Sequence, residues 1–354
     1  MPIWIDRLRT SNTLPPEGYK YLLTTTQAEE VQSLTKAACE VAQSVFGRKI
    51  FIRGLVEVSN YCRNNCFYCG IRRGNKEAER YRLSKEDILE CCAEGYSLGM
   101  RTFVFQGGED VTQNIQWLVD VIGTVRVTYP DCAITLSLGE KSKEEYLALF
   151  QAGANRYLLR HETYNEEHYG LLHPQQMSGA YRKQCLYWLK EIGFQTGTGV
   201  MVGSPGQTVD HLVEDLLFIQ DLHPQMIGLG PFIAHHATPF ANQPNGSIDT
   251  TIRMISICRL MNPNALIPST TALASLGNTQ GRLKGILAGA NVVMPNLSPT
   301  IQRKKYELYD NKAYQQGESA QGLELLRKDL GSIGYEVSLE RGDYDPCLTN
   351  KMEV

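Results

Sequence analysis

Short apolar and β-branched runs recur along the chain at 51–58 (FIRGLVEV), 102–106 (TFVFQ), 133–138 (AITLSL), 156–160 (RYLLR), 196–202 (TGTGVMV), 226–232 (MIGLGPF), 265–271 (ALIPSTT) and 292–295 (VVMP). Runs of this length and makeup predict strands covered on both faces. Between them, apolar residues return at helical spacing near 84–98, 113–128, 142–152, 178–192, 208–221, 248–261 and 278–288, and Ser84, Ser142, Ser178 and Thr208 stand where N-caps are expected. Regular alternation of strand and helix predicts a parallel sheet with crossover helices, and eight such units favour a closed barrel over an open sheet. The expected fold is therefore α/β, a (β/α)8 TIM-type barrel.

Residues 27–46 carry another helical pattern, so 1–50 is expected to form an N-terminal helical extension, 51–302 the barrel, and 303–354 a tail packed on it, partly helical around SAQGLELLRKDLGSIG. In such barrels chemistry collects where strands end. The unusual loops fall there: SNYCRNNCFYCG, GGED, GEKS, HETYN, GSPGQT, IAHHATP, ALASLG and NLSPT.

Composition narrows the partners. A net charge of −3 without a basic block argues against nucleic acid or an anionic membrane surface. No stretch approaches the roughly 20 apolar residues that span a bilayer, and MPIWIDRLRT lacks the apolar core of a secretory signal, so the cytoplasm is expected. In that compartment clustered cysteines point to metals rather than disulfides.

Of ten cysteines, Cys62, Cys66 and Cys69 sit within eight residues in the loop after the first strand, as CRNNCFYC. A [4Fe–4S] cube usually takes four thiolates, so three on one loop leave an iron open to a chelating ligand. A structural zinc site would need a fourth ligand, commonly on a second CxxC or HxxxH half, and the sequence has none.

CxxxCxφC after the first strand of a barrel resembles the signature of the radical S-adenosylmethionine (SAM) superfamily. That resemblance implies that SAM chelates the open iron and is cleaved reductively to a 5′-deoxyadenosyl radical. Gln106-Gly107-Gly108-Glu109 resembles the superfamily's GGE element; its plainer reading is a tight βα turn. Alternation puts Thr135 and Ser137 on one face of the third strand, toward the lumen. Glu162 either accepts the ribose hydroxyls of SAM or forms a rim ion pair with Arg160. Arg182 either pairs with the methionyl carboxylate or is an exposed helical arginine.

Longer strings, among them EVSNYCRNNCFYCGIRRGN, QGGED, RYLLRHET, VGSPGQT, GLGPFIAHHATP and GANVVMPNLSP, are similar to the HydE family of [FeFe]-hydrogenase maturases over roughly 50–310. The likeness implies cluster ligation by Cys62, Cys66 and Cys69 and SAM contacts from Gln106, Gly107, Gly108, Thr135, Ser137, Glu162 and Arg182. Met226, Arg160 and Thr270 would lie at the inner cavity. It implies action on a cysteine-bound iron carrying carbon monoxide and cyanide, on the way to the H-cluster, with a ferredoxin- or flavodoxin-type reductant and other maturases as partners. Arg160, His161, Ser269, Thr270 and Thr271 offer donors to such an anionic substrate. His235 and His236 are expected to face solvent, because successive side chains diverge in an extended chain. Some relatives carry extra cysteines after the last strand for a second cluster; 306–324 contains none, so one cluster is expected. A radical mutase of the methylornithine-synthase type, and a non-enzymatic iron–sulfur carrier or scaffold, remain alternatives. Biotin synthase is a more distant one, since no cysteine set for a sacrificial [2Fe–2S] cluster is evident.

Overall fold

The protein is described by a computed structural model covering residues 3–312 and 322–347. Nine strands carry the fold: β1 (Lys49–Ile52), β2 (Gly54–Ser59), β3 (Thr102–Gly107), β4 (Ala133–Ser137), β5 (Arg156–Leu158), β6 (Gln195–Val202), β7 (Met226–Pro231), β8 (Val292–Val293) and β9 (Glu336–Ser338). Strands β2 to β7 form one parallel sheet in sequence order. Single parallel bridges continue the ring, from Met226 to Leu266, from Pro268 to Val292 and from Leu55 to Asn296, so eight strand positions close a TIM-like barrel.

The seventh position is reduced to two bridges because Pro268 lacks an amide hydrogen and Thr270 already caps a helix, Thr271–Leu287. That helix begins about two turns before the sequence pattern suggests; Gly277 and Gly281 blur its periodicity. Elsewhere the alternation is realised closely. Ser84, Ser142, Ser178 and Thr208 each accept a hydrogen bond from the backbone N–H three residues on, in the following helix, a contact worth about 1 kcal/mol apiece. An additional helix, Glu166–Leu172, capped by Asn165, follows β5 and has no counterpart in the sequence pattern.

The residues before β1 form three helices, Ile3–Ser11, Pro16–Thr24 and Ala28–Phe46, whose apolar faces share a buried cluster with the helices Val209–Leu222 and Ile248–Met261. In the tail, the helix Leu323–Ser332 leads to β9, which pairs in parallel with β1. The next residues seal the floor of the barrel. Arg156 at the start of β5 donates to the carbonyls of Arg341 and Gly342 and to Asp343, while Thr102 at the start of β3 also donates to the Arg341 carbonyl. The expected tail segments at 319–321 and beyond 347 lie outside the described residues. No helix among the described residues is long and apolar enough to cross a membrane.

Candidate active site

Above this floor lies a cavity of about 330 Å³ at the C-terminal ends of the strands. Cys62, Cys66 and Cys69 stand at its mouth as free thiols. Backbone bonds fix their loop: the amides of Arg63, Phe67 and Gly70 donate to the carbonyls of Glu109, Leu172 and Leu308. Burial pushes the Cys66 thiol well above its ordinary range, and the nearby Cys69 and Cys62 push it further. Burial and Cys62 likewise raise Cys69, to about 12. Three thiols that disfavour each other's ionisation share one small region, and a bound cation removes that conflict.

Gly108 brings the turn after β3 against this loop. A Cβ there would fall 2.1 Å from the Tyr61 carbonyl oxygen and 2.8 Å from Cys62 Cβ, so only glycine fits. Gln106, Gly107 and Ser137 line the same wall, and Gln106 Nε2 reaches the Tyr306 hydroxyl at 3.4 Å. Thr135 lies one pleat deeper, 2% exposed, and its hydroxyl has no hydrogen-bond partner among the described residues.

Glu162 occupies left-handed backbone, φ 67°, a conformation that non-glycine residues rarely hold without outside support. Arg160 donates to it from Nε and Nη2, at 3.1 and 2.6 Å. Burial pushes the Glu162 carboxyl up, but Arg160 and then Arg182 outweigh it and hold the group below its usual range. Arg182 is not an exposed helical arginine: its Nη1 donates to Glu140 at 2.7 Å, its Nε to the Arg160 carbonyl at 2.6 Å, and it lines the cavity.

Four expectations are corrected. His161 is fully buried behind the cavity wall, bonded to Thr198 and facing Asp215, so it offers nothing to a substrate. His235 is 2% exposed rather than solvent-facing, and it stacks on His236 with ring centroids 4.4 Å apart. A turn closed by the Thr238 amide on the His235 carbonyl replaces the extended chain that would have separated them. Ser269 turns outward and donates to the Arg282 carbonyl. Met226 packs in the floor cluster with Phe51 and Leu266, its sulfur accepting from Arg53 at 3.3 Å, below the cavity rather than on its wall. Arg160, Thr270 and Thr271 do line the cavity.

The chain matches the radical SAM superfamily over residues 56–219. It is 42% identical over 281 residues to the [FeFe] hydrogenase maturase subunit HydE of Thermotoga maritima, covering 79% of this chain and 80% of that protein. The chain belongs to the HydE family of radical SAM enzymes. HydE-family membership implies a [4Fe–4S] cluster and SAM as cofactors, and the cavity suits both: it offers free thiols at the mouth, a glycine turn with room only for backbone, and a carboxylate held ionised. More distantly, the chain is 28% identical to 3-methylornithine synthase of Methanosarcina acetivorans, over 91% of this chain and 90% of that one. A crystal structure of methylornithine synthase superposes with a TM-score of 0.84 at 26% identity, covering 95% and 97% of the two chains.

Sequence reasoning missed several cavity residues: Glu57, Met177, Tyr306, Tyr309 and Lys312. The signal for Glu57 was present. It is a carboxylate inside an otherwise apolar strand, in phase with Leu55 on the inward face. The others come from segments without regular periodicity.

Proposed function

We propose that Cys62, Cys66 and Cys69 ligate one [4Fe–4S] cluster with an iron left for SAM, and that this enzyme acts as a maturase of [FeFe] hydrogenase. The observation that carries the reading is the gathering, round one cavity, of three thiols, the Gly107-Gly108 turn and the Arg160–Glu162 pair. When bound, cluster and SAM supply a 5′-deoxyadenosyl radical by one-electron reductive cleavage, the electron coming from a ferredoxin- or flavodoxin-type donor. The chain's own residues bind, orient and shield. Gln106, the backbone of Gly107 and Gly108, Thr135 and Ser137 receive the polar parts of SAM; Glu162 takes the ribose hydroxyls; Arg182 reaches the methionyl carboxylate. Beyond SAM, Arg160, Thr270 and Thr271 hold the substrate, a small cysteine-bound iron carrying carbon monoxide and cyanide. The plugged floor excludes water, which a carbon radical site requires.

Two assays test this. Anaerobic reconstitution with dithionite and SAM should release 5′-deoxyadenosine. Maturation of apo [FeFe] hydrogenase in an extract holding the other maturases should require this protein. SAM cleavage with maturation indifferent to its omission would move the reading to a radical mutase acting on an amino acid, which the likeness to 3-methylornithine synthase over nine-tenths of the chain favours.

A further inference from the structure

The cavity carries a second polar pole that the SAM and cluster residues leave unexplained. Glu57 on β2 is fully buried and belongs to the cavity wall. Its Oε1 accepts from Lys312 Nζ at 2.5 Å, and the same ammonium donates to the Tyr306 carbonyl at 2.8 Å. Its Oε2 has no hydrogen-bond partner among the described residues. A carboxylate oxygen held out of water without a donor is costly, and native proteins keep such groups chiefly where something binds.

The opposite chemistry lies on another wall. Thr270 Oγ1 is likewise buried without a partner, and Arg160 brings a guanidinium. Both lie over β7 where it has no side chains: a Cβ at Gly230 would sit 3.0 Å from Thr270 Oγ1, and one at Gly228 3.8 Å from Arg160 Cδ. Donors thus gather on the β7 wall, while the β2 wall offers a lone acceptor. A simple anion satisfies the first and leaves the second bare.

We propose that Glu57, steadied by Lys312, is the group that seats the amine of the amino-acid part of the substrate. Lys312 takes one carboxylate oxygen and leaves the other, so the pair presents a directed acceptor rather than a free anion. This rests on the substrate cavity assigned under the proposed function and adds the group that reads the amine.

The test compares S-methyl-L-cysteine with 3-(methylthio)propanoate, which differ only in the amine and carry no thiol to ligate the cluster. Binding to the reconstituted, SAM-loaded enzyme is measured by calorimetry. The wild type should prefer the amine-bearing compound by on the order of ten- to a hundredfold, as expected of a hydrogen bond to a charged group. Glu57→Gln should bring the two within about threefold, with cluster absorbance and SAM affinity unchanged. Lys312→Gln, which leaves the strand intact but takes away the ammonium that steadies Glu57, should shrink the preference, and it serves alone if Glu57→Gln does not fold. A wild type that binds neither compound or does not discriminate, or a Glu57→Gln or Lys312→Gln enzyme that keeps the full preference, overturns the proposal. The extract assay for hydrogenase maturation reads the maturase role separately, so either idea can fail while the other stands.

Discussion

Arg160 Nη2 donates to Glu162 Oε2 at 2.6 Å, two residues along a chain that turns through left-handed backbone at Glu162 itself. An i, i+2 pair on an extended strand would point the same way yet lie apart; the positive φ folds the carboxylate back onto the guanidinium. The two readings open at the level of sequence, ribose acceptor or ion pair, are therefore compatible. The ion pair sets the carboxylate's charge and direction, and the second oxygen lobes remain for hydroxyl donors.

Replacing Glu162 by Ala should weaken SAM binding by about ten- to a hundredfold, the worth of charge-assisted hydrogen bonds, while the cluster spectrum stays unchanged. Because Arg160 and Arg182 hold this carboxyl below its ordinary value, it stays ionised from neutral pH down past its unperturbed range, and SAM affinity should not fall between pH 8 and 5 through this group. Equilibrium dialysis with labelled SAM checks both statements. Unchanged affinity in the variant would return Glu162 to a purely structural role.

Cys66 and Cys185 separate function from packing. Cys66→Ala should abolish the four-iron signal and all 5′-deoxyadenosine formation. Cys185, fully buried on the helix Gly179–Ile192 with weak sulfur contacts to the Lys141 carbonyl and the Tyr146 hydroxyl, should tolerate Ala with full cluster content and a loss of about 1 kcal/mol in stability. Iron and sulfide analysis with thermal melting decides. Equal cluster loss in both would defeat the assignment of the loop.

Regular elements were legible in the chain because their causes are local: apolar runs for strands, helical spacing, and serine or threonine caps. The cluster loop, the Gly108 turn and the Arg160–Glu162 corner were legible because they sit at strand ends, where the barrel places them together. What escaped depends on contacts far apart in sequence. The inward carboxylate of Glu57 acquires meaning only when Lys312, 255 residues later, arrives beside it. His161 looked like a cavity donor from its place at a strand end beside Arg160, but the residue next to an inward-facing one points the other way, and Asp215 and Thr198 hold the imidazole in the helix layer. Met226 was placed in the cavity by likeness alone; its position low on β7 gives it to the floor.

The same buried network makes a stability prediction. Asp215 accepts from the Tyr164 amide at 2.6 Å and faces His161 Nε2 at 3.3 Å, with Asp215 and His161 both fully buried behind the Glu162 corner. Asp215→Ala leaves an amide and an imidazole without their acceptor, so unfolding free energy should drop by about 2–4 kcal/mol. Asp215→Asn, which keeps an acceptor, should recover much of it. Chemical denaturation of the apo form measures both; a loss below about 0.5 kcal/mol in the alanine variant would show that the network is dispensable.

The floor plug should make stability respond to acid. Arg156 is completely buried, and its Nη2 donates to Asp343 Oδ1 at 2.6 Å. Burial pushes the Asp343 carboxyl up, but Arg156 and then Arg341 hold it below its ordinary value. A depressed folded-state pKa means the folded form binds the proton less readily than the unfolded chain, so the contribution is fully present above the unfolded value of about 4 and is lost as pH falls through the lower folded value. Asp343 is more than a third exposed, and Arg156 keeps the carbonyls of Arg341 and Gly342, so the contribution is modest, about 1–2 kcal/mol. Melting temperatures of wild type and Asp343→Asn should therefore differ at pH 6–7 and converge toward pH 3. A gap that persists undiminished at pH 3 would mean that the variant acts through packing of the tail, not through the charge on Asp343.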